Sequence, residues 1–411
     1  MSLHLSRETK LFVVLDSIKY EIPILDGYAF SQAVNSNEVV LSEASTSAGV
    51  SRRGRTMFNT SLAPVEFSFQ TYMQPFKAAS SGNTTRATGG KAGTVDSAMY
   101  ATDNVLWALF AGKCTGAAAN GSAYTDGSNN IVTNDTTNSD VTFAHSNNST
   151  VGTATFVFSV SDGTATGGID YEITGGVLNE ASIDFDLEGL ATISWSGMGS
   201  TLKEGSTDTR TVRADDATDQ VYEGVDQTNN FVQNKLMTVA VVANDEQSGI
   251  SGINYQDTFV GTGGDGSGNG IYNLIATGGS ITFSNNITFL TPEELGKVNV
   301  PIGHVTGTRS ITGNVTCYLN EAAGGSADLF QDLIEATTLD QNSFSTTFTL
   351  GGASAPNVTI ALPQCNFAVP THSIEDIISV DLTFDALPTD LTAAGANGTN
   401  EATLTYVGVT A

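Results

Sequence analysis

Strict alternation in two stretches limits this chain more than any other feature. In "VEFSFQTY", Val65, Phe67 and Phe69 alternate with Glu66, Ser68 and Gln70. In "ASIDFDLEGLATISWSG" (Ala181–Gly197), Ile183, Phe185 and Leu187 alternate with Asp184, Asp186 and Glu188, and Ile193 and Trp195 then resume the pattern. Successive side chains of a strand point to opposite faces. Such stretches therefore read as half-buried antiparallel strands, apolar toward a core and polar toward water. Gly occurs 43 times in 411 residues, which suits many short strands and turns. Charged residues make up 14%, against roughly 25% in an average globular chain, so Ser, Thr, Asn and Gly must supply much of the polar surface. With 40% hydrophobic residues a real core is available. The expected fold class is all-β with a minor helix, a β-sandwich or barrel.

Helical spacing marks Val95–Gly112, where Met99, Val105, Leu106, Leu109 and Phe110 are apolar and Gly112 can stop a helix; a short helix is expected near Asp103–Phe110, with a counterpart near Ala327–Ile334. Thr115–Thr150 is rich in Gly, Ser, Asn and Thr and reads as an exposed insertion or mobile loop. Lys203–Asn230 reads as a linker or long loop. An internal repeat spans the rest. Glu8–Leu15 resembles Gln233–Val241, Phe30–Ala44 resembles Phe283–Leu295, and Ala63–Met73 resembles Arg309–Leu319. Asp103–Gly112 resembles Ser326–Ala336, and Asp170–Gly197 resembles Asn357–Phe384. Five matches in the same order predict two similar β domains, residues 1–200 (with the insertion at about 115–150) and 234–411, joined by 201–233.

Charge narrows the function. The chain has 43 acidic and 16 basic residues, a net charge of −27. That disfavours a nucleic-acid grip, which needs clustered Lys and Arg, but it suits an acidic wall past which nucleic acid moves without sticking. Against this background Arg52, Arg53 and Arg55 stand together. They are expected to meet carboxylates on another copy of the chain. The three cysteines, Cys114, Cys317 and Cys365, are far apart and read as free thiols in a reducing compartment. No signal peptide and no run of 18 apolar residues is visible.

Catalytic and cofactor signatures are weak. "GTGGDG" (Gly261–Gly266) is followed by a β-like segment where a dinucleotide site needs a helix. "DGSGNG" (Asp265–Gly270) starts like a calcium loop but reaches Ala276 where a bidentate Glu is required. His4, His145, His304 and His372 are scattered. Asp184, Asp186 and Glu188 read as the solvated side of a strand rather than a glycosidase pair, and such a face could also line a channel. No catalytic residue, cofactor or metal is expected.

Several segments together resemble the tail tube proteins of long-tailed bacteriophages: Tyr20–Ala44, Ser51–Phe76, the helical Asp103–Gly112, Asn179–Gly197 and Asn286–Leu319. The resemblance implies a β-sandwich flanked by a helix, with subunits pairing strand to strand into rings around a conduit for DNA. It implies stacking of rings through a loop at about Glu43–Leu62, with a second-copy equivalent at about Thr291–Arg309. Arg52, Arg53, Arg55 and Arg309 are then the stacking candidates, and Asp184, Asp186 and Glu188 the candidates for an acidic lumen. The duplication implies trimeric rings with pseudo-sixfold symmetry, or hexameric rings without it. Other expected partners are tail proteins such as a sheath or terminator and a baseplate. The expected location is the virion tail, after synthesis in the host cytoplasm. The competing reading is a carbohydrate-binding or adhesin-like β-sandwich.

Overall fold

The computed structural model describes residues 9–16, 18–38, 56–77, 99–114, 116–117, 123–126, 130–144, 150–161, 168–205, 230–243, 271–296, 298–322, 324–335, 344–374, 378–389 and 400–409. The first half holds β1 (Thr9–Leu15), β2 (Ile18–Ile22), β3 (Ala29–Glu38), β4 (Met57–Tyr72), β5 (Pro75–Lys77), β6 (Met99–Ala101), α1 (Asn104–Ala111), β7 (Gly116–Ala117), β8 (Ala123–Thr125), β9 (Asn130–Asn134), β10 (Ser139–Ala144), β11 (Ala154–Ser161), β12 (Gly168–Phe185), β13 (Thr192–Gly199) and β14 (Thr201–Glu204). The second half holds β15 (Thr238–Ala243), β16 (Ile271–Leu274), β17 (Ala276–Ser284), β18 (Thr288–Leu290), β19 (Gly303–Val305), β20 (Ser310–Tyr318), α2 (Ser326–Glu335), β21 (Phe344–Leu350), β22 (Asn357–Phe367), β23 (Thr371–Ile374), β24 (Ile378–Ala386) and β25 (Asn400–Val407).

Strand pairing follows one order in each half. In the first it runs β2–β1–β11–β12–β13–β4–β3, antiparallel throughout. In the second it runs β16–β15–β21–β22–β24–β20–β17, again antiparallel. The long strand in the middle turns each series into two layers. Residues 168–176 of β12 pair with β11, while residues 177–184 pair with β13. The layers close over aromatic residues. Phe67 on β4 lies 4.7 Å from Phe156 on β11, and Phe348 on β21 lies 5.7 Å from Phe384 on β24, centroid to centroid. Burying such side chains is the main favourable term in a sandwich of this kind.

The halves are joined by strands, not by a tether alone. Glu180–Phe185 of β12 pairs antiparallel with Gly279–Ser284 of β17. The sheet β3–β4–β13–β12–β17–β20–β24 is therefore continuous across both halves. The C-terminal β25 adds a second tie, lying between β10 of the first half and β22 of the second. Its Tyr406 hydroxyl donates to Asp103 Oδ2 at 3.0 Å and accepts from Trp107 Nε1 at 2.7 Å, all three side chains being buried.

The short helix falls where it is expected, near Asp103–Phe110, while the helical spacing runs further back than the helix does. Met99–Ala101 is strand, and only Asn104–Ala111 is helical. All eight helical residues are buried, as befits a helix apolar around its whole circumference. The cover comes from the segment expected to be an exposed insertion. The described parts of Thr115–Thr150 form β7 to β10, and Tyr124, Ile131, Val132, Val141 and Phe143 are buried. Few long apolar residues occur there, but those few face inward. Its counterpart α2 is amphipathic, with Leu329, Asp332 and Leu333 buried and Gln331 and Ile334 exposed. The flanks of the expected linker are also ordered: β14 pairs with β12, and Val232 is buried. Residues 206–229 lie outside the described residues, as do both glycine-rich candidate motifs. Cys114, Cys317 and Cys365 are buried and form no disulfide. Burial pushes the Cys317 thiol up to about 11 and the Cys365 thiol up to about 12, which keeps them unreactive.

Candidate functional site

The continuous sheet has one apolar face, buried in the sandwich, and one polar face. Rows of paired residues cross the polar face from the first half into the second. Gln70, Ser194, Ser182, Thr282, Thr312, Asp385 and Asn366 are successive cross-strand partners over seven strands. The next row is Tyr72, Thr192, Asp184, Ser280, Asn314 and Thr383. Side chains link along these rows: Gln70 Nε2 donates to Ser194 Oγ at 3.0 Å, and Ser280 Oγ donates to Asn314 Oδ1 at 2.7 Å. At the joint itself the Ser182 and Thr282 hydroxyls are 3.4 Å apart. Short, uncharged polar side chains in cross-strand pairs hold register while keeping the surface wet.

Charge on this face has one sign. Segments 66–72, 180–184, 192–198, 280–284, 310–316 and 379–385 contain Glu66, Glu180, Asp184, Asp381 and Asp385 and no Lys or Arg. Thr316 Oγ1 donates to Asp381 Oδ1 at 2.7 Å, which orients that carboxylate. A hollow of about 390 Å³ lies on the face between Thr282, Thr312, Asn366 and Asp385. Such a surface repels polyanions and offers no cationic anchor point.

An arm extends from the second half, where β18 and β19 pair as a hairpin, rooted by buried Asn285. Its Nδ2 donates to the carbonyls of Phe110 and Leu178 at 3.0 and 3.3 Å. The tip does not simply project. Leu62 N–H donates to Asn299 O at 2.8 Å, and Asn299 N–H donates to Thr60 O at 3.1 Å, so the tip is bonded to β4 of the other half. A cleft of about 640 Å³ lies beneath, between Asn35, Asn37, Thr60 and Glu293. The arm still exposes Leu290, Leu295, Val298, Val300, Ile302 and Val305.

The predicted site residues fall in different places. Asp184 lies on the polar face, exposed. Asp186 and Glu188 do not share its strand face: β12 ends at Phe185, and these two residues lie in the turn that follows. There Glu188 N–H donates to Asp186 Oδ1, and Gly189 takes a φ of +101°. The alternation breaks there, with Leu187 54% exposed. Arg309 is not a surface residue. Its side chain is 3% exposed and pairs with Glu401 at 2.9 Å, donates to Ala111 O at the end of α1, and lies 5.2 Å from the Phe143 ring centroid. That set of partners ties β20, β25, β10 and α1 inside one chain, so Arg309 is unavailable to a neighbouring ring. Arg52, Arg53 and Arg55 lie outside the described residues.

Sequence reasoning missed most of the polar rows. Their signal is present in the polar positions of "TISWSG", "ITFS", "SITGNVTCY" and "ISVDLTFDA", but only the pairing register shows that they line up across strands.

No family model matches the chain. It is 28% identical over 407 residues to the tail tube protein pb6 of Escherichia phage T5, a match spanning 96% of this chain and 74% of that protein. The similarity runs almost from end to end of the chain, so what this chain resembles along its length is a bacteriophage tail tube protein.

Proposed function

We propose that this protein is the repeating subunit of a phage tail tube. Chains close side by side into rings, the rings stack, and the polar sheet faces line a hollow conduit through which genomic DNA leaves the virion. The observation that carries this reading is the β12–β17 joint. It makes one sheet out of two halves by backbone pairing alone, and a further copy can extend the sheet in the same way. The repeated pairing order supports two tube-type domains per chain, residues 1–200 and 234–411. A ring of six such units is then three chains with pseudo-sixfold symmetry. Closing the ring removes exposed strand edges, which otherwise invite uncontrolled pairing, through a heterologous interface that closes on itself.

The wall suits a cargo that must slide. Carboxylates among hydrated Ser, Thr and Asn keep phosphates away from the surface, and specific nucleic-acid contact would need cations that this face lacks. The role is structural, and its partners are further copies of the chain and the tail proteins that cap or surround the tube. Between rings, contact falls to the exposed apolar side chains of the arm and to Arg52, Arg53 and Arg55. Negative-stain microscopy of the purified chain at rising concentration tests the reading. Rings or rods of uniform width are expected, whereas single chains at every concentration contradict it.

A further inference from the structure

We infer that the joint inside the chain is the template for the joint between chains. The outer edge of β3 in one copy pairs antiparallel with the outer edge of segment 368–374 in the next, with Ser31 opposite Thr371. This rests on the ring reading above and adds to it which edges meet, and in what register.

The two halves carry equivalent strand edges. At the internal joint, β17 uses the edge turned away from β20, and β12 uses the edge turned away from β13. The counterpart of β17 is β3, whose one strand partner among the described residues is β4. The counterpart of the end of β12 is the run after β22. There Ala368 N–H donates to Thr383 O, and β23 pairs with β24 and with no other described strand. Each half thus brings the same two edges. One of each is used inside the chain, and one of each remains.

Register follows from the ladders. Val65 faces Gly199, and Ile311 faces Ala386, which equates β13 with β24 residue for residue. Ser194 on β13 faces Ser182, and Asp381 on β24 faces Thr371, so Thr371 takes the place of Ser182. Phe67 faces Phe30, and Gly313 faces Ile281, so Phe30 takes the place of Ile281 and Ser31 that of Thr282. Ser182 and Thr282 are direct partners in the chain. Segment 368–374 has one residue more than 180–185, taken up at Val369–Pro370. Neither Ala29–Ala33 nor 368–374 carries an Asp, Glu, Lys or Arg, the charges that commonly guard an open edge. Val34 and Val369, 49% and 58% exposed, lie beside the two edges, where a neighbouring copy covers them.

Disulfide trapping tests the register. The double variant S31C/T371C, assembled and then oxidised, should give a covalently closed three-chain species on a non-reducing gel. The control S182C/T282C should cross-link within one chain. The variant A29C/T371C, two residues out of register on the same face, should cross-link at least ten-fold less than S31C/T371C. Rings that form without the S31C/T371C product, or with equal trapping by the shifted pair, overturn the register while leaving the ring reading intact. An unmodified chain that stays monomeric overturns the ring reading and this joint together. Should the double variant alone fail to assemble, a reconstruction of the unmodified tube decides the same question by the residue opposite Thr371.

Discussion

At the residue scale, a buried ion pair and a buried carboxyl hold the halves together. Arg309 and Glu401 form a pair with both side chains under a tenth exposed. Removing one partner strands a buried charge, which costs about 3–5 kcal/mol, whereas replacing both with apolar residues costs much less. R309M should therefore lower stability by about that amount in urea unfolding, and R309M/E401L should recover a large part of it. Strictly additive losses would mean that the pair is not coupled. Asp103 is the buried carboxyl. Burial pushes its carboxyl from the usual 3.8 up to about 7, against hydrogen bonds from Tyr406 and Trp107 that favour the carboxylate. The folded chain keeps a proton that the unfolded chain releases between about pH 4 and 7, so stability falls as pH rises through that window. The full shift amounts to about 4 kcal/mol. Asn at this position has no proton to lose. The difference in unfolding midpoint between parent and D103N should thus change across pH 4 to 7, and a constant difference would contradict the assignment.

At the element scale, the repeat shows a compensated exchange. In the first half Phe67 on β4 covers Gly197 on β13, where a Cβ would meet the ring at 2.4 Å. In the second half the ring comes from the opposite strand: Phe384 on β24 covers Gly313 on β20, where a Cβ would meet it at 2.5 Å. A glycine beneath an aromatic from the facing strand is a known way to fill such a site. G313A should cost about 1–3 kcal/mol by overpacking, and the double exchange G313F/F384G should be milder than G313F alone. A double variant as damaged as the single would argue against equivalent sites. The exchange also explains what was legible in the sequence. Alternation in Val65–Tyr72 and Ala181–Phe185 predicted strands because one face is buried over their length. The helical spacing runs past the start of the helix because Met99 to Ala101 are apolar enough to fit either period, and β-pairing with Pro75–Lys77 decides between them. Arg309 was misassigned because its burial depends on Glu401, 92 residues away, and local sequence carries no sign of that. Thr115–Thr150 reads as an exposed insertion or mobile loop because its inward residues are few, and their partner, α1, lies earlier in the chain.

At the scale of the whole molecule, the two halves share one sheet, and the charged residues on the polar side of its strands are all acidic. From Leu236 to Ala411 there are two basic residues, Lys297 and Arg309, against 17 acidic ones. With Arg309 buried, the second half is strongly acidic toward its neighbours. Replacing Arg52, Arg53 and Arg55 together by Glu should block stacking while leaving the fold intact, since exposed pairs are worth only about 0–1 kcal/mol each but recur in every ring. Full-length tubes from that variant, seen beside a normal circular dichroism spectrum, would remove these arginines from the stacking contact. The most direct measurement is a cryo-microscopy reconstruction of the assembled tube. The account predicts three chains per ring, a sheet unbroken from chain to chain, and a lumen lined by the rows containing Ser182, Asp184, Thr282 and Asp385. Six chains per ring, or a lumen lined mainly by Lys and Arg, would contradict it.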